Sequence, residues 1–395
     1  MLSQRIPAWS GPPPGRRSPL ARQCHVQSHG CRGTRGVHPG LLASMVQAHP
    51  TYERKGLSMN ATRNRGAVAA VIAALAIGGT TAHADGNSDQ PASIDQPDDH
   101  RTGDHHQADG ALVDAFSRVD RNTSWQLTGK LKLTFPTFHT EGIAFTPDHI
   151  FLSAVEILHP TVKYPTPRGG YDRTPGKGIG HLFVMDKAGN LQKDITLGEG
   201  HMYHPGGIDY DGTNVWVPVA QYRPNSSAII YRVDATSLQV HKQFLVPDHF
   251  GGIVMDKRTR HLVGNTWGSR RFAEWNLYGK QLKTWDNPNF FIDYQDCQYA
   301  ATSKMLCAGV TNLPQNPGAG GDSAIYELGG IALIDITEQT VLRDVPFQKW
   351  STAGHVATRN PFKMTAHGNH LTIRVAPDNG EEGNGTEILT YESTT

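Results

Sequence analysis

His139-Thr140-Glu141-Gly142-Ile143, His204-Pro205-Gly206-Gly207-Ile208 and His249-Phe250-Gly251-Gly252-Ile253 are three copies of one pattern, each running into a turn and then an apolar strand. Self-similarity of this kind marks a repeat architecture. The same succession follows each copy: a second strand at 150–155, 215–220 and 261–267, a third at 180–186, 228–234 and 271–276, and a fourth at 191–197, 240–246 and 281–285. Four short strands per repeat make the blade of a β-propeller. A fourth copy reads through 293–300, 305–310, 330–336 and 341–347, and a fifth through 360–365, 370–376 and 386–392, one strand short. The segment 125–135 reads as the missing strand, which pairs with the last blade and leaves no open sheet edge in the circle. The predicted fold is all-β: a five-bladed β-propeller of four-stranded antiparallel blades, closed by an N-terminal strand, within residues 111–395.

Composition agrees. With 37% hydrophobic and 18% charged residues, 42 Gly and 25 Pro, the chain suits short strands and many turns better than a helical bundle. It contains no Gly-x-Ser-x-Gly elbow, no phosphate-cradling loop and no dinucleotide fingerprint in a strand-turn-helix setting.

The first 84 residues read as a leader rather than as working protein. Met59 opens a segment with Arg63 and Arg65, an apolar run over 67–77 and then Ala82-His83-Ala84, the pattern of a secretory signal peptide over 59–84. The apolar run falls short of the ~20 residues a membrane span needs. Residues 1–58, rich in Arg, Pro, Gly and His without periodicity, are expected to lie outside the functional protein, with translation starting at Met59. Removing residues 1–84 leaves 27 basic against 35 acidic residues, a net charge of −8. Residues 85–110 hold seven Asp against one Arg and form an expected disordered acidic linker. The remaining domain is nearly neutral, which argues against nucleic acid or an anionic membrane as partner. The expected location is secreted or periplasmic, with no membrane span after cleavage.

Export fits the cysteines. Beyond the leader only Cys297 and Cys307 remain, ten residues apart on two short strands joined by a turn. An antiparallel hairpin of that length sets them opposite each other for one disulfide, the other reading being two buried thiols.

Aligned on the repeats, His139, His204, His249, Asp293 and Asn360 each begin an innermost strand, so the ring must bring them to one mouth of the channel. His139, His204, His249 and Asp293 are a plausible shell for a divalent metal, zinc or calcium. Glu141, on the same side as His139, adds a ligand or base and forms with His204 the candidate catalytic pair. The bland reading is that the histidines cap inner strands by bonding the neighbouring blade's carbonyls. Loops on the same face supply Tyr222, Arg223, Trp267 and Arg270 as candidate contacts to a polar, carboxylated or sugar-like small molecule. The longest loop, 156–179, is expected to act as a lid, and 313–322 is Gly- and Pro-rich. His201 is placed on a surface loop, and His355, His367 and His370 carry no assigned role.

The Glu-Gly-Ile and Gly-Gly-Ile strand starts, with the Asp209-Tyr210-Asp211-Gly212 turn, resemble an uncharacterised family of exported bacterial β-propeller proteins over about 125–392. More distantly the chain is similar to plant-type glutaminyl cyclases, which have five blades, and to the six-bladed gluconolactonase and paraoxonase group. In the latter a Glu at an inner strand start binds the catalytic metal, and the resemblance implies that role for Glu141. It departs in offering His where those lactonases use Asn and Asp, and in lacking a sixth blade. The leading expectation is a metal-assisted hydrolase, lactonase- or esterase-like. The alternatives are a non-catalytic propeller that binds a ligand or protein, and a metal-free cyclase or lyase using the same His and Glu as acid and base.

Overall fold

The run Val215-Trp216-Val217-Pro218-Val219-Ala220 is apolar on both faces of one strand, which requires packed protein on both sides of the sheet. In the computed structural model, which describes residues 110–314 and 325–394, Val215, Val217 and Val219 enter one hydrophobic cluster and Trp216 and Ala220 the next. The period-2 alternation of a strand thus serves two neighbouring blades. Among the described residues five such clusters occur, one at each interface between blades.

Blade 1 is built from His139–Phe145, Ile150–His159, Lys177–Met185 and Leu191–Leu197, inner strand first. Blade 2 takes Met202–Pro205 with the short Asp209–Tyr210, then Asn214–Gln221, Ala228–Asp234 and Val240–Val246. Blade 3 takes Phe250–Asp256, His261–Thr266, Arg271–Trp275 and Gln281–Asp286. Blade 4 takes Asp293–Ala301, Lys304–Pro314, Ile325–Asp335 and Thr340–Pro346. Blade 5 takes Phe362–His367, His370–Val375 and Glu387–Thr394, and its outermost strand is Ser124–Lys132, antiparallel to Glu387–Thr394. The five blades and the N-terminal closure are those read from the repeats. One strand is shorter than expected: it stops at Thr266, and Trp267–Ser269 forms a 3-10 turn whose Gly268 has φ 61°.

A helix over 110–116 precedes the closing strand. Leu112, Ala115, Phe116 and Val119, spaced three and four apart, are buried in the cluster between blades 4 and 5. The leader, the signal segment and most of the acidic linker lie outside the described residues, as does most of the 313–322 loop. Among the described residues no helix is long and apolar enough to cross a membrane.

Cys297 and Cys307 are directly opposed on the first two strands of blade 4 and form the expected disulfide, with Cα atoms 4.1 Å apart. Both are buried.

The glycines of the repeat have a steric cause. At the neck of the channel Gly207 N donates to Gly251 O and Ile253 N donates to Gly207 O, so neighbouring inner strands touch backbone to backbone. A Cβ on Gly142 would lie 2.6 Å from Ile208 N, and one on Gly207 would lie 2.6 Å from Asp296 Oδ1. In the fourth repeat the column of Gly142, Gly207 and Gly252 holds Asp296, whose carboxylate fills the space the glycines leave. Its Oδ1 accepts from Ile208 N (3.1 Å), and its Oδ2 accepts from Ile143 N (3.2 Å) and Phe362 N (3.0 Å). One fully buried side chain of blade 4 therefore ties blades 1, 2 and 5 together. These bonds level Phe362 with Ile143 and Ile208, so Asn360 falls beside Glu141 rather than beside His139 as aligned on the repeats.

Candidate functional site

Blades 1, 3 and 4 carry the same irregularity. Their inner ladders skip one residue between Thr140 and Gly142, between Phe250 and Gly252, and between Tyr294 and Asp296. The skipped residues are Glu141, Gly251 and Gln295, the third position of each repeat. A β-bulge breaks strict alternation and re-aims the extra side chain. Glu141 Oε1 reaches His139 Nε2 at 2.8 Å and lies 3.3 Å from His204 Nε2.

The three histidines converge as the ring symmetry requires: the His139 and His204 rings are 6.3 Å apart, and so are those of His204 and His249. His139, Glu141 and His204 bring one ligand atom each within 4.8 Å of one another, the geometry of a possible metal site. His249 stands one ring further along and is not in that group. Glu141, His204 and His249 are buried, while the His139 side chain keeps 26% exposure.

The second nitrogen of two rings is fixed from outside. His249 Nδ1 lies 2.7 Å from Gln221 O, and because a carbonyl only accepts, Nδ1 carries the proton and Nε2 the lone pair of the neutral ring. For His139 the chain is longer. Asn379 Nδ2 donates to Glu382 Oε1 at 2.9 Å, which turns Asn379 Oδ1 toward His139 Nδ1 at 2.8 Å. His139 therefore donates from Nδ1 and presents Nε2 to Glu141. His204 Nε2 is buried and lies near Glu141 without the alignment of a hydrogen bond.

Burial dominates the electrostatics. It pushes His204 down to about 4 and His249 to about 3, with Glu141 opposing only in part. Burial also pushes His139 down, but the Glu141 charge and hydrogen bond outweigh it and the net shift is upward. Glu141 is pushed up by burial and, more strongly, down by His139 and His204. The Glu141 carboxylate thus favours the protonated form of His139, whereas burial disfavours it in His204 and His249.

The expected substrate contacts divide. Tyr222 stacks on His204 with ring centres 4.1 Å apart, and Trp267 meets His249 edge-on at 4.7 Å, so these two aromatics wall the histidines. Arg223 is buried, its guanidinium 3.5 Å from the Tyr171 ring centre and its Nε bonded to Gln221 Oε1. Arg270 and Asp293 are taken up by each other: Arg270 Nη2 donates to Asp293 Oδ1 at 3.0 Å, and the guanidinium also binds Gly268 O and Asn289 O. Asp293 thus lies in a salt bridge at the blade 3–4 junction, outside the His–Glu group. Asn360 Nδ2 donates to Thr140 O at 2.6 Å, the strand-capping role allowed for the ring.

The long 156–179 segment is an arm more than a loop. Its two strands continue to the pair His159–Lys177, and a small hairpin, Lys163–Arg168 with Tyr171–Arg173, extends them. The arm is anchored across the mouth by Tyr171 under Arg223, by Arg173 at 4.9 Å over Trp267, and by Tyr203 Oη donating to Pro175 O. His201, His367 and His370 are exposed.

His355 matters more than its sequence suggested. Its Nδ1 lies 3.0 Å from Glu327 Oε1 and its Nε2 3.3 Å from Glu382 Oε2, while Arg359 reaches Glu382 at 3.2 Å. Through Glu382 and Asn379 this cluster supports His139. The signal available was the Asp378-Asn379-Gly380 turn, in the blade 5 loop equivalent to those bearing Tyr222 and Trp267.

Comparison with solved structures finds similar chains at low identity. A tail fiber of Staphylococcus aureus phage P68 matches at 9% identity and TM-score 0.43, over 71% of this chain and 56% of the fiber chain. A luciferin-regenerating enzyme matches at 10% and 0.38, over 69% and 96%. A DUF4221 family member from Bacteroides vulgatus matches at 8% and 0.36, over 70% and 99%. A comparison with curated proteins finds no match. A family model, described as a family of unknown function, DUF6454, spans residues 107–393, from just before the helix to the last strand of blade 5, and the chain belongs to that family.

Proposed function

We propose that this propeller is an exported, metal-assisted hydrolase of the lactonase or esterase type, in which His139, Glu141 and His204 hold a divalent metal. One observation carries the reading: Glu141 Oε1 is held between the Nε2 atoms of His139 and His204 at 2.8 and 3.3 Å, and His204 Nε2 is buried without a hydrogen bond. Ligand atoms on a four-coordinate zinc with bonds of about 2.0–2.1 Å lie about 3.3 Å apart, so these separations suit shared coordination. Two nitrogens and one carboxylate favour zinc over calcium, which prefers an all-oxygen shell. Such an ion polarises a carbonyl and lowers the pKa of bound water. Asn379 fixes the His139 ring, and Tyr222 and Trp267 offer apolar faces to a substrate entering beside His204 and His249. The buried disulfide supports an oxidising compartment.

The test is hydrolysis of a panel of lactones and aryl esters by untagged protein. The reading expects turnover that chelator abolishes and zinc restores. A second reading, metal-free acid–base chemistry, is favoured by the 2.8 Å His139–Glu141 contact and expects turnover that survives chelation; absence of any turnover supports a binding propeller.

A further inference from the structure

Lys363 and Arg374 are directly opposed on the first two strands of blade 5. Like charges set across an antiparallel pair repel, so this arrangement needs a source of negative charge. Lys363 has one, a 3.3 Å ion pair with Asp209, whose side chain is 1% exposed. Arg374 has none among the described residues: its guanidinium contact is the Phe145 ring, at 5.4 Å. A third cation joins them from the turn between the third and fourth strands of blade 1. Lys187 Nζ donates to the backbone carbonyls of Thr146 and His149. Burial and the Arg374 charge both hold the Lys187 pKa below its ordinary value, against Asp148.

These three cations surround a cavity of ≈390 Å³ whose other walls are Phe145, Ile150 and Thr365. Among the described residues no carboxylate lines it. Phe145 and Ile150 flank the turn at the far end of the inner strand that His139 begins, so the cavity opens on the face opposite the histidines. Asp296, bonded to three blades, lies between the two levels. The volume is of small-molecule size, and one guanidinium with two ammonium groups matches a compact, multiply charged oxyanion.

We propose that Lys187, Lys363 and Arg374 form a second site, distinct from the histidine site, that binds a small oxyanion carrying two or more negative charges. The chemistry is shared by phosphorylated metabolites and dicarboxylates, and the apolar wall of Phe145 and Ile150 accepts the carbon portion of either.

Calorimetric titration of the full chain, kept in the uncharged chelator 1,10-phenanthroline so that no metal at the histidines can capture the anion, tests the site with pyrophosphate and succinate as separate probes. The expected result is saturable 1:1 binding of at least one probe, weakened at least tenfold in Lys187→Gln/Arg374→Gln and retained in His204→Ala. The probe that binds more tightly identifies the phosphorylated or the dicarboxylate class. Arg374→Gln alone, which keeps the Lys187 bonds to the Thr146 and His149 carbonyls, is expected to melt no lower than the parent without anion and to weaken binding in the same direction. Absence of saturable binding by either probe overturns the proposal. So does binding that survives the double substitution, or that disappears in His204→Ala. None of these outcomes bears on hydrolysis at the opposite mouth.

Discussion

Asn379 illustrates how one uncharged side chain sets the chemistry of another. Its amide is oriented by Glu382, and that orientation leaves His139 Nδ1 no role but donor. Outer partners of this kind typically contribute 10–100-fold in metal affinity. Asn379→Leu is accordingly expected to weaken zinc binding about 10–100-fold in competition with a chromophoric chelator, and unchanged affinity would remove Asn379 from the account. The cluster behind it predicts a pH dependence. Burial pushes His355 down, but hydrogen bonds to Glu327 and Glu382 outweigh this and raise it to about 9 from 6.5. Burial pushes Glu382 up, yet His355, the Asn379 N–H and Arg359 bring it to about 2 from 4.5. The His355 contribution to stability is complete below 6.5 and lost as pH rises through 9, while that of Glu382 is complete above 4.5 and lost as pH falls through 2. Melting temperatures should therefore decline between pH 6.5 and 9 in the parent and decline less in His355→Gln; identical profiles would contradict the pairing. The repeated histidines were legible in the sequence because they recur in register. Asn379, Glu382 and His355 were not, because they come from loops of one blade and have no counterpart in the others.

At the level of the strand, the informative features are the bulge and the neck. The pattern His-x-x-Gly-Ile predicted where inner strands start, and Glu141 does meet His139, but through a bulge that no residue type announces rather than by strict alternation. The neck explains the glycines and also the residue that breaks their column. Asp296 was visible as that exception, but its meaning needed the ring, since its three donors belong to three other blades. Asp296→Asn keeps the volume but offers one acceptor and turns an amide toward a backbone N–H. It is expected to cost about 2–4 kcal/mol in urea denaturation; a cost below about 1 kcal/mol would mean that the carboxylate is not the tie between blades. Arg270 and Asp293 show the opposite case. Each was read as a free functional group, and their proximity at a blade junction makes them partners instead.

At the scale of the molecule, the ring is closed without a covalent bond, by the pairing of Ser124–Lys132 with Glu387–Thr394. Deleting 124–132 leaves blade 5 one strand short and uncovers Tyr391 and Phe347, against which Trp125 helps pack. The deletion is expected to abolish cooperative unfolding, and a truncated protein with the parent's melting curve would contradict the closure. Blade number and closure were readable because each blade repeats the same four-strand grammar, whereas the helix over 110–116 went unread although Leu112, Ala115, Phe116 and Val119 have helical spacing. The two mouths carry opposite equipment, three histidines with a carboxylate on one and three cations on the other. The central claim concerns the first. Metal content by plasma mass spectrometry, on protein exported and purified without a histidine tag beside its His204→Ala variant, tests it most directly. The account predicts about one zinc per chain in the parent and a loss of at least tenfold in the variant; the absence of metal from both, or equal amounts in both, would contradict it.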